Sequence, residues 1–208
     1  MADYTLVYPP AHNATYVKAT TTYSASYYPY FGTDPAKSLI GTSLGTSWLA
    51  SAGSNTNQRF HIDLGSAKII RRIYYENYHH LTIGIDQGAK TLIFQGSNTA
   101  ASFAELTYAT DTGWTTLTCS QNTFDEHVGA DTEDPKYILV TNVTAYRYYA
   151  FKFADAWGAS VMGVRRVSLM TQDRYNTSKF FIFLFEAWQK HDKLWTPKLI
   201  LPKEGYSY

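Results

Sequence analysis

The sequence predicts an all-β protein, built as a β-sandwich with a C-terminal extension. Apolar and polar residues alternate in many short segments along the first 172 residues. Glycine, asparagine, aspartate and serine bound these segments, as is typical of strands joined by turns. Over the same residues no long segment follows the 3.6-residue period of a helix. Many short strands with polar loops between them favour a sandwich or a barrel.

The segment RFHIDLG shows the alternation most clearly. Phe60, Ile62 and Leu64 fall on one face of the predicted strand. The side chains between them point outward, to the other face: Arg59, His61 and Asp63. The same pattern predicts four later strands: KTLIFQGSN (90–98), KYILVTN (136–142), YRYYAFKF (146–153) and VRRVSLM (164–170).

The composition suits one folded domain of ordinary size. Of 208 residues, 45% are hydrophobic and 17% are charged, which supports a packed core. The formal net charge of +1 gives no reason to expect a nucleic acid or an anionic membrane as partner. Arg71-Arg72 and Arg165-Arg166 are isolated pairs, more typical of ion pairs than of nucleic-acid binding. The 18 tyrosines suit strand surfaces, sugar stacking or protein interfaces.

The sequence also predicts a protein that is made in the cytoplasm. Cys119 is the only cysteine, so no intrachain disulfide can form. The first residues, MADYTLVYPP, have neither the basic nor the apolar region of a secretory signal. The longest apolar run, FFIFLFEAW, is shorter than the ~20 residues that span a bilayer, so membrane insertion is not expected.

The composition changes after Thr171, which divides the chain into a sandwich of residues 1–172 and an extension of residues 173–208. The segment DRYNTSKFFIFLFEAWQKHDKLW suits a helix that begins near Asn176. Its apolar residues would surround almost the whole helix, which must therefore be buried. Docking on its own sandwich and docking in a partner remain open. In the second case residues 178–195 would contact other virion subunits or further copies of the chain.

From Trp48 onward the sequence resembles the discoidin family, also called coagulation-factor type C or galactose-binding-like domains. A tryptophan before a polar loop, the strand end IDLG, the turn GSN and the late strand VRRVSL occur together. The resemblance covers residues 11–172, and the pattern ENYHH…GAK…GSN is most similar to versions on phage tail and virion proteins. The segments that carry it are GTSWLASAGSNTNQRFHIDLGSAKIIRRIYYENYHH, GAKTLIFQGSNTAASF, TGWTTL and YRYYAFKFADAWGASVMGVRRVSLMT.

The resemblance implies an eight-stranded jelly-roll sandwich whose loops gather at one end into a ligand-binding face. By family position the loops are YSASYYPYFGTDPAKS (23–38), IGTSLGTS (40–47), ENYHHLTIGIDQG (76–88) and ADAWGAS (154–160). Aromatic rings would stack on a sugar, and polar side chains would bind its hydroxyls. The expected ligand-binding residues are Tyr28, Tyr30, Glu76, Asn77, Tyr78, His79, His80, Asp86 and Trp157.

No transition-metal site is expected, although the segment ENYHH offers possible ligands. Glu76, His79 and His80 have a spacing that suits a helix, whereas this segment has the pattern of a strand and a loop. His61 and Asp63 share a strand face and are explained as outward residues of that strand.

Calcium and catalysis are not expected either. Many discoidin domains hold calcium with an Asp-Gly pair and an acidic residue in the last strand. Here those positions are Ile40-Gly41 and Arg166, so the hard oxygen ligands are missing and no cofactor is expected. The motif GTSLG matches a nucleophile elbow at Ser43, but a loop follows it where an elbow needs a helix.

The predicted function is a non-catalytic module that binds cell-surface carbohydrate, carried on the tail or virion of a phage or virus. Many copies would turn a weak single site into useful attachment. The alternative is a structural role in particle assembly or decoration without sugar binding. The apolar C-terminal run KFFIFLFEAW motivates this alternative, because a lone sandwich has no need of it.

Overall fold

The computed structural model describes residues 3–172. The predicted C-terminal helix and the partner contacts of residues 178–195 lie outside the described residues. Within residues 3–172 the chain forms one α-helix, α1 (Ala100–Ala104), and short 3-10 helices at Ala25–Tyr27, Pro29–Thr33 and Ile85–Gln87. The strands are β1 (Tyr4–Val7), β2 (Val17–Ala19), β3 (Trp48–Leu49), β4 (Thr56–Lys68), β5 (Ile70–Asn77), β6 (Leu92–Ser97), β7 (Thr115–Cys119), β8 (Lys136–Thr141), β9 (Tyr146–Asp155) and β10 (Gly163–Gln172).

The strands form two antiparallel layers that are joined along one side. In the first layer β10 lies between β1 and β5, β8 pairs with β5, and β3 pairs with the start of β10. In the second layer β9 lies between β4 and β6, with β2 and β7 outside them. Pairing of Thr118 with Thr141 joins β7 to β8, so the sheet curls from one layer to the other. The predicted β-sandwich is confirmed.

The number of strands differs from the expected eight. Within residues 3–172 there are ten, because the described sheet includes β2 and β3, which have three and two residues. Strands this short do not leave a clear alternation in the sequence. Among the described residues, no helix is long and apolar enough to cross a membrane.

The core between the layers is built largely from aromatic rings. Phe60 of β4 lies opposite Phe151 of β9, with ring centroids 6.4 Å apart. Tyr75 stacks on Phe124 with a centroid distance of 4.0 Å, and Trp48 contacts Phe60 at 5.3 Å. Full burial of such a side chain contributes about 1.5–3 kcal/mol. This core therefore holds the strand ends from which the loops emerge.

The outer face of β4 is covered, so its outward polar residues do not face solvent. Arg59 and His61 point away from the core as the alternation indicates, yet both are fully buried. Residues 98–114, which include α1, lie over them. The His61 imidazole is 3.0 Å from the Phe103 carbonyl, and Arg59 pairs with Asp111 at 2.6 Å. Strand alternation predicts which face a side chain occupies, but not whether a loop covers that face.

The strand register brings several connections to one end of the sandwich. β4 begins where β9 ends, with Thr56 opposite Asp155, and β10 begins where β5 ends, with Val164 opposite Asn77. We call this the loop end. It contains the connections 20–47, 50–55, 78–91, 120–135 and 156–162.

Candidate functional site

Backbone hydrogen bonds fasten the loops of the loop end to one another. We refer to residues 23–38, 40–47, 76–88 and 154–160 as the first, second, third and last loops. The Gly45 amide donates to Ser26 at 2.7 Å, which joins the second loop to the first. The Leu81 amide donates to Gly41 at 3.2 Å, and the Gly158 amide donates to Asp86 at 3.0 Å. The third loop is thereby held between the second and the last.

Two arginines of β10 donate hydrogen bonds to backbone carbonyls of the same loops. The Arg165 guanidinium donates to the carbonyls of Ile40 (2.6 Å), Gly41 (3.3 Å) and His79 (3.1 Å). Arg166 donates to the Lys37 carbonyl at 2.7 Å. Burial lowers the pKa of both groups, but an arginine stays protonated over the range in which proteins fold.

These arginine contacts were not expected from the sequence, which favoured ion pairs for Arg165-Arg166. Neither Arg165 nor Arg166 forms an ion pair with another described residue. The Arg165 guanidinium lies against the carbonyls of Ile40 and Gly41. A guanidinium offers fixed N–H donors to several carbonyl oxygens.

Glu76 and Asn77, expected to bind ligand, are fully buried and engaged within the protein. Glu76 accepts hydrogen bonds from the Tyr74 hydroxyl and the Asp134 amide, each at 2.7 Å. Burial raises the pKa of this carboxyl. The Asn77 side chain donates to the carbonyls of Ala89 (2.8 Å) and Asp125 (2.9 Å). Both residues thus shape the loops and present no polar group to solvent.

Tyr78 and His79 are also buried, with 2% and 0% of their surface exposed. The His79 ring nitrogens lie 2.9 Å from the Leu81 carbonyl and 2.8 Å from the Leu39 carbonyl. Each ring nitrogen thus lies against a backbone carbonyl. The ring stacks on His127 at 4.0 Å. His79 therefore links the third loop to Leu39, which lies between the first and second loops.

His80 is different, because it is half-buried and bonded on one side only. Its Nδ1 lies 3.0 Å from the Ser43 hydroxyl and 3.3 Å from the Ser43 amide nitrogen. Its Nε2 has no partner among the described residues. Ser43 is fully buried and also contacts the Tyr78 hydroxyl at 2.8 Å, so its oxygen is closed to a substrate. The GTSLG motif therefore forms no exposed nucleophile in this structure.

The first loop presents a cluster of aromatic rings. Tyr28 and Tyr30 stack with a centroid distance of 5.1 Å and an angle of 18° between their planes. Tyr28 is 38% exposed, and Phe31 packs edge-on against both rings. The Lys37 ammonium lies 4.7 Å above the Phe31 ring. A flat, rigid and partly exposed aromatic surface results.

Trp157 lies on the last loop, at the side of the third loop. Its indole N–H donates to the Phe124 carbonyl at 3.1 Å, and the Lys90 ammonium lies 4.8 Å from the ring centroid. The neighbouring Gly158 and Ala159 amides both donate to the Asp86 carbonyl, while Asp86 itself is exposed. The tryptophan and the paired histidines therefore lie at the same end of the sandwich.

Sequence reasoning missed an aliphatic component of the loop end. Several large apolar side chains of the loops are 44–64% exposed. They are Ile40, Leu44, Leu81, Ile83 and Val128. No periodicity marks them, because loop residues follow neither the strand nor the helix repeat. The polar rim expected from the sequence is in fact a mixed surface.

The metal candidates are separated in the structure. The described residues contain no group of three or more His, Cys, Asp or Glu side chains that could hold a metal ion. His61 lies under Trp114, with ring centroids 4.9 Å apart, whereas Asp63 pairs with Arg147 at 2.8 Å.

The sequence matches no protein-family model and no curated protein. Several solved structures share the fold. The family 32 CBM of Clostridium perfringens NanJ, in complex with galactose, is 13% identical with a TM-score of 0.55, covering 81% of this chain and 100% of that one. An F5/8 type C domain from Bacteroides fragilis is 14% identical with a TM-score of 0.54, covering 76% and 91%.

A third structure, truncated AlyQ with CBM32 and alginate lyase domains, is 17% identical with a TM-score of 0.54. The comparison covers 84% of this chain but only 35% of that one, so the chain spans about a third of its length. At identities this low, the structural similarity establishes the fold alone. The described residues share the β-sandwich fold of these CBM32 and F5/8 type C domains.

Proposed function

We propose that the protein is a non-catalytic carbohydrate-binding module that holds a glycan at its loop end. The observation that carries the proposal is the pair of aromatic surfaces there, the Tyr28–Tyr30 stack and Trp157. Between them the third loop carries the accessible polar groups of His80 and Asp86. We assign these five residues as the direct ligand contacts.

The chemistry of these groups matches that of a sugar. Aromatic faces pack against the C–H surface of a pyranose, and this contact loses little conformational entropy because the rings are already fixed. The imidazole of His80 and the carboxylate of Asp86 supply hydrogen bonds to hydroxyl groups. The exposed aliphatic side chains widen the apolar part of this surface.

The buried residues of the predicted site have a supporting role in this proposal. Glu76, Asn77, Tyr78 and His79 hold the third loop against its neighbours through the hydrogen bonds described above. Replacing one of them would change ligand binding by moving the loop. The galactose complex of the C. perfringens module makes a galactose-type sugar the first ligand to test.

A glycan array with matched variants tests the proposal. Tyr28→Ala and Trp157→Ala should each weaken binding at least about fivefold, because each removes an aromatic face. Tyr137→Ala and Trp114→Ala are the controls. Tyr137 is 49% exposed on the outer face of β8, and Trp114 lies beside His61. An array without binding, or equal losses in variants and controls, would refute the proposal.

We further propose that the module acts on a phage or viral particle, where many copies attach to a cell surface. The apolar run KFFIFLFEAW, residues 179–188, motivates contacts with other subunits or with copies of the same chain. The competing role is particle assembly without sugar binding. Light scattering of the full chain and of a variant lacking residues 173–208 tests subunit contact. A monomer in both cases would contradict it.

A further inference from the structure

Ser43 faces the imidazole of His80 with two hydrogen-bonding groups at once. Its amide nitrogen is 3.3 Å from Nδ1 of His80, and its hydroxyl oxygen is 3.0 Å from the same atom. A backbone amide can only donate. Nδ1 must therefore be the acceptor, which leaves the proton of the neutral ring on Nε2. The Ser43 hydroxyl can add a second donor to the same nitrogen.

The Tyr78 hydroxyl is the second side-chain neighbour of the Ser43 hydroxyl. The two oxygens are 2.8 Å apart and both residues are buried. Burial raises the pKa of Tyr78 to about 12, so the phenol keeps its proton at neutral pH. When the phenol donates to the Ser43 oxygen, the serine proton is free to point to His80. In this arrangement Tyr78 donates to Ser43, and Ser43 donates to His80.

The far side of the ring is open. His80 is half-buried, and its Nε2 has no partner among the described residues. We propose that Ser43 and Tyr78 are positioning residues that fix His80 as the Nε2–H tautomer, so that the loop end offers a fixed donor to an acceptor oxygen of a neutral sugar. The ligand part of this inference rests on the proposed function. It also gives the GTSLG motif a role that is not catalytic.

Nitrogen-15 NMR of the full chain with labelled histidine tests the tautomer without any ligand. At pH 8 we expect a pyridine-type signal from Nδ1 of His80 and a pyrrole-type signal from Nε2, with His80→Gln used for assignment. Tyr78→Phe and Ser43→Ala should shift both signals only partway toward the values of a mixed population, because the Ser43 amide still donates to Nδ1. A protonated or mixed Nδ1 in the unmodified chain would overturn the inference. A fixed tautomer that persists in both variants would overturn the role of the two hydroxyls.

A galactose titration supplies the second readout. Tyr78→Phe should weaken binding about fivefold, the effect of losing one hydrogen bond of about 1 kcal/mol. Tyr149→Phe is the matched control, because its buried hydroxyl bonds to the Lys68 carbonyl at the opposite end of the sandwich. A loss in the control equal to that in Tyr78→Phe would contradict the positioning role. If no sugar binds while NMR shows the fixed tautomer, the proposed function fails and the assignment of the tautomer stands.

Discussion

The Arg165 guanidinium donates to the carbonyl oxygen of His79 at 3.1 Å, which fastens the third loop to the last strand. The same side chain reaches the second loop at Ile40 and Gly41. The backbone groups of an irregular loop have no partners on a neighbouring strand. Buried carbonyls there need other hydrogen-bond donors. A single buried cation supplies them at the loop end.

Replacing Arg165 with methionine should therefore destabilise the fold by about 2–4 kcal/mol, because three backbone carbonyls lose their donor. Urea unfolding measures the change. Arg147→Met is the control, since the Arg147 guanidinium is 42% exposed and donates to Asp63, not to a backbone carbonyl. Equal losses of unfolding free energy in the two variants would contradict the role of Arg165 in holding the loops.

Asp111 joins two buried cations, Arg59 at 2.6 Å and Lys152 at 2.8 Å. Burial acts to raise the pKa of this carboxyl, but hydrogen bonds from Lys152, Gln95 and Arg59 outweigh it and the pKa is lowered. Asp111→Asn leaves Arg59 and Lys152 without a countercharge, and because Asp111 is 49% exposed the loss in unfolding free energy should be only about 1 kcal/mol. An unchanged urea midpoint would contradict this role.

Gly163 lies where a side chain cannot fit. A β-carbon there would be 2.6 Å from the Trp48 carbonyl and 2.8 Å from the Tyr78 ring. Gly163→Ala should lose about 1–3 kcal/mol, because the strand pairing at β3 has to move. Gly32→Ala is the comparison, as its β-carbon would meet nothing closer than 3.7 Å. Thermal unfolding of both variants tests this difference in stability. Equal destabilisation by Gly32→Ala would contradict the prediction.

Because of His61, the folded protein should become less stable as the pH falls. Burial lowers the pKa of His61 from 6.5 to about 4. The folded protein thus binds fewer protons than the unfolded chain between these values. This contribution to stability is complete above pH 6.5 and is lost as pH falls toward 4, a total of about 3 kcal/mol.

The test compares the pH dependence of two proteins. Between pH 7 and pH 4.5 the unmodified chain should lose about 2–3 kcal/mol more than His61→Gln, which lacks the titrating group. Other shifted groups, such as Glu76 with its raised pKa, act equally in both and cancel. Parallel stability curves would contradict the assignment.

The strands were predictable because alternation is a local property of the sequence. Phe60 and Ile62 are buried as their spacing requires. The site was predicted less well, because burial in a loop depends on distant contacts. The sequence ENYHH does not indicate that His79 is buried and His80 is half-buried. The difference arises because the His79 ring contacts the carbonyls of Leu39 and Leu81. The role of Arg165 likewise appears only when its partners, 86 to 125 residues away in sequence, are in place.

Amide chemical-shift mapping with the strongest array glycan tests the central proposal most directly. If the loop end binds sugar, the largest shifts should fall in residues 23–47, 76–90 and 154–160, around Tyr28, His80 and Trp157. Shifts confined to the opposite end, such as residues 141–146, would contradict a sugar-binding loop end.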